Sequence, residues 1–384
     1  LKFLIALLFL LPVKVFAQDS SCHIQISLLT CTPGDELYST FGHSAIRVAD
    51  SVSHADIVYN YGTFNFEEPG FYTKFIRGKL LYYLSTEDFD SFKLDYQEEQ
   101  RGITEQVLNL SCTEKYNIIM LLQANMMPEN RFYKYDFLFD NCTTRLRDLV
   151  EKAADNPVHF KNFLPSKKTF RDLIYEYLNK NDKQWSKLGI DILLGSPTDA
   201  VMKTRQVMFL PDYLLKSFDH TTIDSRPLVK EKHEAYSFNP PEVKINHFTH
   251  PIFIFSAIFL FVLFLSFSEN PLVKRTLIAF DGFLFFVTGL LGILLLFMWF
   301  GTDHLMCKDN YNLLWAWPTN VVAAFYIQSA RKRSTRYFQI YAVFNLVLCT
   351  CWFFLPQHLN PALLPIIAIL IFRSLFFISK GKNT

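Results

Sequence analysis

Glycine is scarce in this chain and charge is thin: there are 13 glycines in 384 residues, and Asp, Glu, Lys and Arg together make only 19%. The 38 basic and 36 acidic residues nearly cancel to a net +2, which excludes a strongly basic nucleic-acid binder and an acidic disordered tail. None of the seven cysteines falls in a Cys-x-x-Cys pair or at a Cys/His spacing suited to zinc, so neither a metal nor a cofactor is expected. Internal repeats and low-complexity tracts are absent. What the chain has is phenylalanine. Forty of them, in a chain 50% hydrophobic and 16% aromatic, suggest contact with lipid. The length suggests two units, and the charges divide unevenly between them. Beyond residue 250 there are ten Lys/Arg and four Asp/Glu, leaving a net of −4 before it. The first two-thirds reads as a soluble acidic domain and the last third as membrane.

Lys2, the apolar run Phe3 to Leu11, and Val15-Phe16-Ala17 before Gln18 have the layout of a secretory signal peptide, with a cut expected after Ala17. Asp19-Ser20-Ser21 before Cys22 is not the small apolar box of a lipidated cysteine. At the other end, five apolar runs are each close to the length that crosses a bilayer core: His250 to Ser268, Leu277 to Phe300, Leu313 to Gln328, Tyr337 to Leu355 and Pro361 to Ile378. The third is the shortest. With an exported domain in front, Lys274, Arg275, Arg331, Lys332, Arg333, Arg336, Lys380 and Lys382 all fall on the inner side, and the outward loops carry only Lys308. That is the positive-inside pattern, and Trp315 and Trp317 fall at the outward interface. The expected layout is a signal peptide over 1–17, a periplasmic domain over 18–247, and a membrane domain of about five helices over 248–384, in the inner membrane.

Residues 18–110 read mostly as strand, with Ser44 to Ala49 and Asp56 to Tyr61 as a hairpin. Helices are expected over Glu114 to Met126, stopped by Pro128, from Asp140-Asn141 through Val150, and over 167–179, 184–195 and 211–218. Residues 219–247 read as a polar connector with one strand-like piece.

Cysteines 22, 31, 112 and 142 would face an oxidising compartment, where disulfides are permitted. Cys349 and Cys351 lie in an apolar run and read as packing. Cys142 stands in the first turn of a helix capped by Asp140 or Asn141, where the helix dipole lowers a thiol pKa. A buried helix cysteine or half of a disulfide is the competing reading. His43, in Phe41-Gly42-His43-Ser44-Ala45 at the entry to a strand, changes the balance: an imidazole beside a thiol takes its proton and returns it. Antiparallel pairing of the two hairpin strands brings Asn60 opposite His43 as the group that orients the ring, with Tyr61 and His54 as alternatives.

These motifs resemble a known family. His first, Cys later and an Asn-Cys at a helix start resemble the circularly permuted branch of the papain-like NlpC/P60 superfamily, which includes lecithin:retinol acyltransferase. More closely, Leu29-Thr30-Cys31-Thr32-Pro33-Gly34-Asp35, Phe41-Gly42-His43-Ser44-Ala45, Tyr59-Asn60-Tyr61-Gly62-Thr63-Phe64, Tyr133-Lys134-Tyr135-Asp136-Phe137 and Asp140-Asn141-Cys142-Thr143-Thr144-Arg145 resemble the Lnb-type lipoprotein N-acyltransferases, as do Phe209-Leu210-Pro211 and Asn312-Leu313-Leu314-Trp315. The resemblance covers nearly the whole chain. It implies an α+β papain-like periplasmic domain followed by a multi-span α-helical membrane domain, with Cys142 as nucleophile and His43 as base. The third member stays open, with Asn60 preferred. Tyr61, Arg145 and Tyr135 are expected at the substrate.

The reaction this implies moves an acyl chain from a phospholipid, through a Cys142 thioester, to the α-amine of a diacylglyceryl-cysteine lipoprotein, with no nucleic acid involved. The spans or the amphipathic 184–218 region would form the acyl groove, and His304 and Asn312 are either headgroup contacts or solvated loop residues. Rival readings are a papain-like amidase of the cell wall, a thioester-forming phospholipase, and a non-catalytic membrane adaptor. The Phe-rich surroundings of Cys142 (Phe132, Phe137, Phe139) favour an acyl chain over a muropeptide.

Overall fold

The computed structural model describes residues 22–161, 167–240, 245–327 and 332–382; the expected signal peptide lies outside them. Among the described residues there are ten strands: β1 (Ile24–Cys31), β2 (His43–Asp50), β3 (Asp56–Thr63), β4 (Leu81–Asp88), β5 (Ile103–Leu108), β6 (Phe132–Lys134), β7 (Val158–His159), β8 (Thr222–Ile223), β9 (Arg226–Pro227) and β10 (Val229–Tyr236). Seven form one sheet in the order β10-β5-β1-β2-β3-β4-β6, and β7, β8 and β9 form a small second sheet. Every pair is antiparallel. Between and after the strands come α1 (Phe71–Ile76), α2 (Phe89–Glu98), α3 (Cys112–Met126), α4 (Cys142–Ala153), α5 (Phe170–Lys180), α6 (Gln184–Leu193) and α7 (Pro211–Asp219).

Side chains alternate across a strand, so one sheet can bury two different faces. Ile26, Leu28, Ile46 and Tyr61 pack with Ile118 and Leu122 of α3, Leu146, Leu149 and Val150 of α4, and Leu214 and Phe218 of α7. Their strand neighbours Leu29, Cys31, Ala45 and Val58 face the other way, onto Phe89 and Phe92 of α2. Two departures from the sequence reading follow. The 18–110 region contains α1 and α2. Asp88 caps α2 by accepting from Ser91 N at 2.9 Å, and Phe89, Phe92 and Tyr96 recur on one helical face. The strand-like piece of the connector is β10, a full edge strand of the main sheet.

The C-terminal region holds α8 (Pro251–Ser266), α9 (Pro271–Phe300), α10 (Asn320–Ala323), α11 (Lys332–Thr350) and α12 (Leu364–Lys382). Among the described residues, Pro271–Phe300 and Pro361–Ser379 are long and apolar enough to cross a bilayer, and α8 is apolar but shorter. The expected third run is not one helix. It breaks into a 3-10 turn at Tyr311–Leu314, the four-residue α10 and another 3-10 turn. The fourth run is α11, which starts early enough to include Arg333 and Arg336. Between α12 and α9, Arg373 gives Asp281 two hydrogen bonds at 2.7 and 2.6 Å, and its third nitrogen reaches Ser266 of α8 at 2.9 Å. Charges buried among apolar helices persist when paired in this way.

A polar joint fixes the two regions to each other. The last carbonyls of a helix lack partners within it, and those of α6 are met from the C-terminal region. Asn312 donates to Asp191 O at 3.0 Å and Ile192 O at 3.2 Å, Asn310 to Ile192 O and Leu193 O at 2.8 and 3.0 Å, and Gln357 to Leu194 O at 2.8 Å. The Asp191 carboxylate, fully buried, accepts from Arg171 of α5 at 2.6 Å and from Asn360 at 2.8 Å. Asn312 is therefore a buried structural residue, not a headgroup contact, and the end of α6 is a joint rather than part of an acyl groove. Gly195 is required here because the backbones touch: a Cβ on it would lie 1.8 Å from Lys308 O.

Gly195→Ala is expected to cost about 1–3 kcal/mol by overpacking this joint, read as a melting midpoint lowered by several degrees in detergent. Gly189→Ala on α6 itself, where an added Cβ meets nothing within 4 Å, is expected to leave the midpoint unchanged or raise it.

Candidate active site

Asn141 sets the start of α4. Its Oδ1 accepts from Thr144 N at 2.9 Å, and Thr144 Oγ1 accepts from Asn141 N at 2.8 Å, a reciprocal capping box. Its Nδ2 donates to Phe137 O at 2.7 Å and Phe209 O at 2.8 Å, tying the cap to two loops. Cys142 is thereby placed in the first turn, as a free thiol, with the backbone N–H groups of Ser44, Thr143 and Cys142 itself directed at its sulfur.

Ser44 follows His43 directly, so the backbone N–H next after His43 in the chain is one of those directed at the sulfur. The β2–β3 ladder ends at Ile46↔Tyr59, and strand N–H groups lie in the plane of the sheet. Cys142, arriving from the α4 side, thus reaches toward the sheet plane where β2 begins. The turn before it needs glycine. Gly42 has φ +79, and a Cβ there would stand 2.6 Å from Cys31 O. The Cys31 thiol, cross-strand partner of His43, is pushed up to about 12 by burial, with the nearby Cys142 adding to the rise.

His43 Nε2 and Asn60 Oδ1 are 3.1 Å apart, and Asn60 Nδ2 donates to Glu87 Oε1 at 2.7 Å. The second bond decides the first. A carboxylate accepts and does not donate, so the Asn60 amide turns its NH₂ to Glu87 and its oxygen to the ring. His43 Nε2 therefore carries the proton, and Nδ1 keeps the lone pair.

The thiol runs against expectation. Burial raises Cys142 above its ordinary value, and the backbone donors of Ser44, Thr143 and Cys142 oppose this without overcoming it. Desolvation exceeds the helix-end effect read from sequence. Burial likewise lowers His43 to about 4, with the Asn60 hydrogen bond raising it and Arg101 lowering it further. Near neutral pH the pair is thiol and neutral imidazole, not thiolate and imidazolium.

Neither alternative third group meets His43. His54 lies in the exposed turn at the far end of the hairpin, and the Tyr61 hydroxyl accepts from Asn125 at 2.6 Å on the α4 face. Arg145 is committed to Asp140 by two hydrogen bonds at 2.7 and 2.8 Å and lies 3.5 Å over the Tyr133 ring. Tyr135 is beside the thiol. Gly62 lies against both its ring edge and Cys142 Cβ, and the ring stacks on Tyr82 at 4.5 Å.

A family model described as the Lnb N-terminal periplasmic domain matches residues 14–182, and one described as the Lnb transmembrane domain matches residues 243–383. The chain is an Lnb-type protein. No curated protein and no solved structure matches it. As an Lnb protein it has a periplasmic domain and a transmembrane domain, and membership points to an enzyme of lipoprotein biosynthesis.

Two residues of this Lnb site were not anticipated. Glu87 comes from β4, where it pairs with Val58, and no motif marks it. Tyr133 is buried near Cys142 and next to Gly62, and its hydroxyl has no hydrogen-bond partner among the described residues. Buried hydroxyls are seldom left so. Tyr133 lies within a motif quoted above, and that was its only signal in the sequence.

Because burial lowers His43 and raises Cys142, both are neutral across the middle of the pH range. Iodoacetamide alkylation of Cys142, followed on its own peptide by mass spectrometry, is expected to be slow at pH 7 and to climb above pH 9. A plateau already reached below pH 7 would instead mean a preformed ion pair.

Proposed function

We propose that this protein is a cysteine-dependent lipoprotein N-acyltransferase. The observation that carries this reading is the Glu87–Asn60–His43 relay at the strand entry whose next backbone N–H donates to Cys142. His43 Nδ1 takes the thiol proton as the sulfur attacks a phospholipid ester carbonyl. The bond from that carbon to the glycerol oxygen breaks, and His43 returns the proton to that oxygen. A lysophospholipid leaves and a Cys142 thioester remains. The α-amine of a diacylglyceryl-cysteine lipoprotein then attacks the thioester, His43 takes the amine proton, the C–S bond breaks, and the sulfur recovers the proton. The products are an amide and free thiol. The tetrahedral oxyanion has donors in the α4 backbone N–H groups and in the unpartnered Tyr133 hydroxyl.

The family's periplasmic and transmembrane domains support a multi-pass protein of the inner membrane, with the site held at the periplasmic bilayer surface where both lipid substrates lie. A papain-like permuted NlpC/P60 relationship fits the order of His43, Asn60 and Cys142 along the chain. Tyr135, stacked beside the thiol, is suited to the donor chain, while Tyr61, buried in the core with its hydroxyl on Asn125, and Arg145, held by Asp140, act as fixed parts of the wall. A cell-wall amidase would have little use for such aromatic surroundings.

Incubation of the full-length protein in phospholipid nanodiscs tests this by intact mass. The wild type is expected to gain one acyl chain on Cys142, and Cys142→Ser none. His43→Ala is expected to slow adduct formation by roughly 10²–10⁴-fold, with Asn60→Ala and Tyr133→Phe each slowing it by about 10–100-fold. Release of cut muropeptides with no acyl adduct would overturn the reading.

A further inference from the structure

Helix α1 is short, and what it displays is unusual for a surface facing water. Tyr72 is 74% exposed, and Phe75 and Ile76 are about half exposed. Phe66, just before the helix, is 63% exposed. A contiguous apolar patch of this kind marks an interaction site. Its position says with what.

The end of α1 is fastened to the loop that follows α9. His304 Nε2 lies 3.1 Å from both Phe75 O and Ile76 O, and Asp303 N donates to Arg77 O at 3.0 Å. Lys134 Nζ reaches Asp303 at 2.8 Å. α9 is one of the helices long enough to cross the bilayer, and its last residue, Phe300, is itself 74% exposed. Only three residues separate Phe300 from His304, so the apolar face of α1 stands at the level where the spanning helix leaves the membrane. His304 is thus a tether for α1 rather than a headgroup contact. Arg77 and Lys79, both exposed, follow the aromatic face directly. Aromatic rings with basic residues at their edge form the composition that suits the phospholipid interface.

The patch also continues inward. Phe71 of α1 packs on Phe66 at 5.0 Å and on Phe64 at 5.9 Å. Phe64 meets Tyr82 at 5.3 Å, and Tyr82 stacks on Tyr135 beside Cys142. Each ring touches the next, from the exposed helix to the thiol.

We propose that α1 is seated in the periplasm-facing leaflet, with Tyr72, Phe75 and Ile76 among the lipid chains and Arg77 and Lys79 at phospholipid phosphates, and that one chain lies along the ring row toward Cys142. The seating stands apart from the chemistry; only the direction of the chain toward the thiol rests on the acyl-transfer reading.

The test places the photoreactive residue benzoylphenylalanine at position 72, 75 or 66 of the full-length protein in nanodiscs of phosphatidylethanolamine and phosphatidylglycerol. A control at Val52, 61% exposed in the β2–β3 turn at the opposite end of β3 from α1, reports collision with free lipid. After illumination, adducts of phospholipid mass are expected at 72, 75 and 66 at a level at least tenfold above 52, and equally in a Cys142→Ser background. Adducts at 72 and 75 no more frequent than at 52 would overturn the seating, and adducts at 72 and 75 but not 66 would overturn the ring-row path. Photo-adducts that persist while the wild type fails to acylate Cys142 would instead remove the catalytic reading and leave α1 in the leaflet.

Discussion

The hydrogen bond from Asn60 to Glu87 is the contact on which the chemistry of this site depends. An amide can present oxygen or nitrogen to a neighbouring imidazole, and the two choices create different enzymes. Holding the NH₂ on a carboxylate leaves only the oxygen for His43, fixes the proton on Nε2, and leaves Nδ1 as a base. The relay uses three adjacent strands, β2, β3 and β4, and runs diagonally across them: Glu87 pairs with Val58, Asn60 with Ser85, and His43 lies beyond the last β2–β3 pair. Burial then sets the charge state. With His43 lowered and Cys142 raised, neither the imidazole nor the thiol is charged at rest, and the charge of the relay stays on Glu87. That suits the proposed acyl transfer, in which an apolar chain would enter without first expelling water from a thiolate–imidazolium pair.

A second constraint concerns place. The lipid substrates proposed above do not diffuse to a soluble domain, so that reading requires the site to be held at the bilayer. Side-chain amides from the membrane domain complete the C-terminal carbonyls of α6, an arrangement whose geometry cannot slide because each donor has a fixed acceptor. Lys134 and His304 add a second attachment at Asp303 and α1. With two fixed points the periplasmic domain keeps one orientation to the spanning helices, and the aromatic row from α1 to Tyr135 keeps one direction.

Much of this was legible in the sequence where a local rule governs. The Asp-Asn-Cys cap, the 44–61 hairpin and the helices at 114–126 and 184–195 follow from capping and periodicity. Asn60 is reached by a register argument that the structure does not follow: the β2–β3 ladder stops at Ile46↔Tyr59, which sets position 60 level with Ala45, and Asn60 meets His43 through its side chain at 3.1 Å. What escaped is what distance along the chain conceals. Glu87 is brought to Asn60 by a strand 27 residues on, and nothing near it in sequence announces a role. Helices α1 and α2 are short and rich in Phe and Tyr, residues with high strand propensity, and tertiary packing overrides that preference. The third apolar run reads as a span because composition alone does not show that Asn320 within it, and Asn310 and Asn312 just before it, are bound up in side-chain hydrogen bonds that accompany irregular backbone. The thiol pKa was misread for a related reason: the helix end is visible in sequence, and the burial that outweighs it is not.

The most direct measurement is a single-turnover chase. Acyl-enzyme formed from isotopically labelled phospholipid is separated from free lipid and mixed with a synthetic diacylglyceryl-cysteine peptide. The expected result is one labelled amide on the peptide for each chain lost from Cys142, with no transfer to a peptide whose α-amine is acetylated. Loss of the chain as free fatty acid, at the same rate with and without the peptide, would contradict acyl transfer and leave a hydrolase.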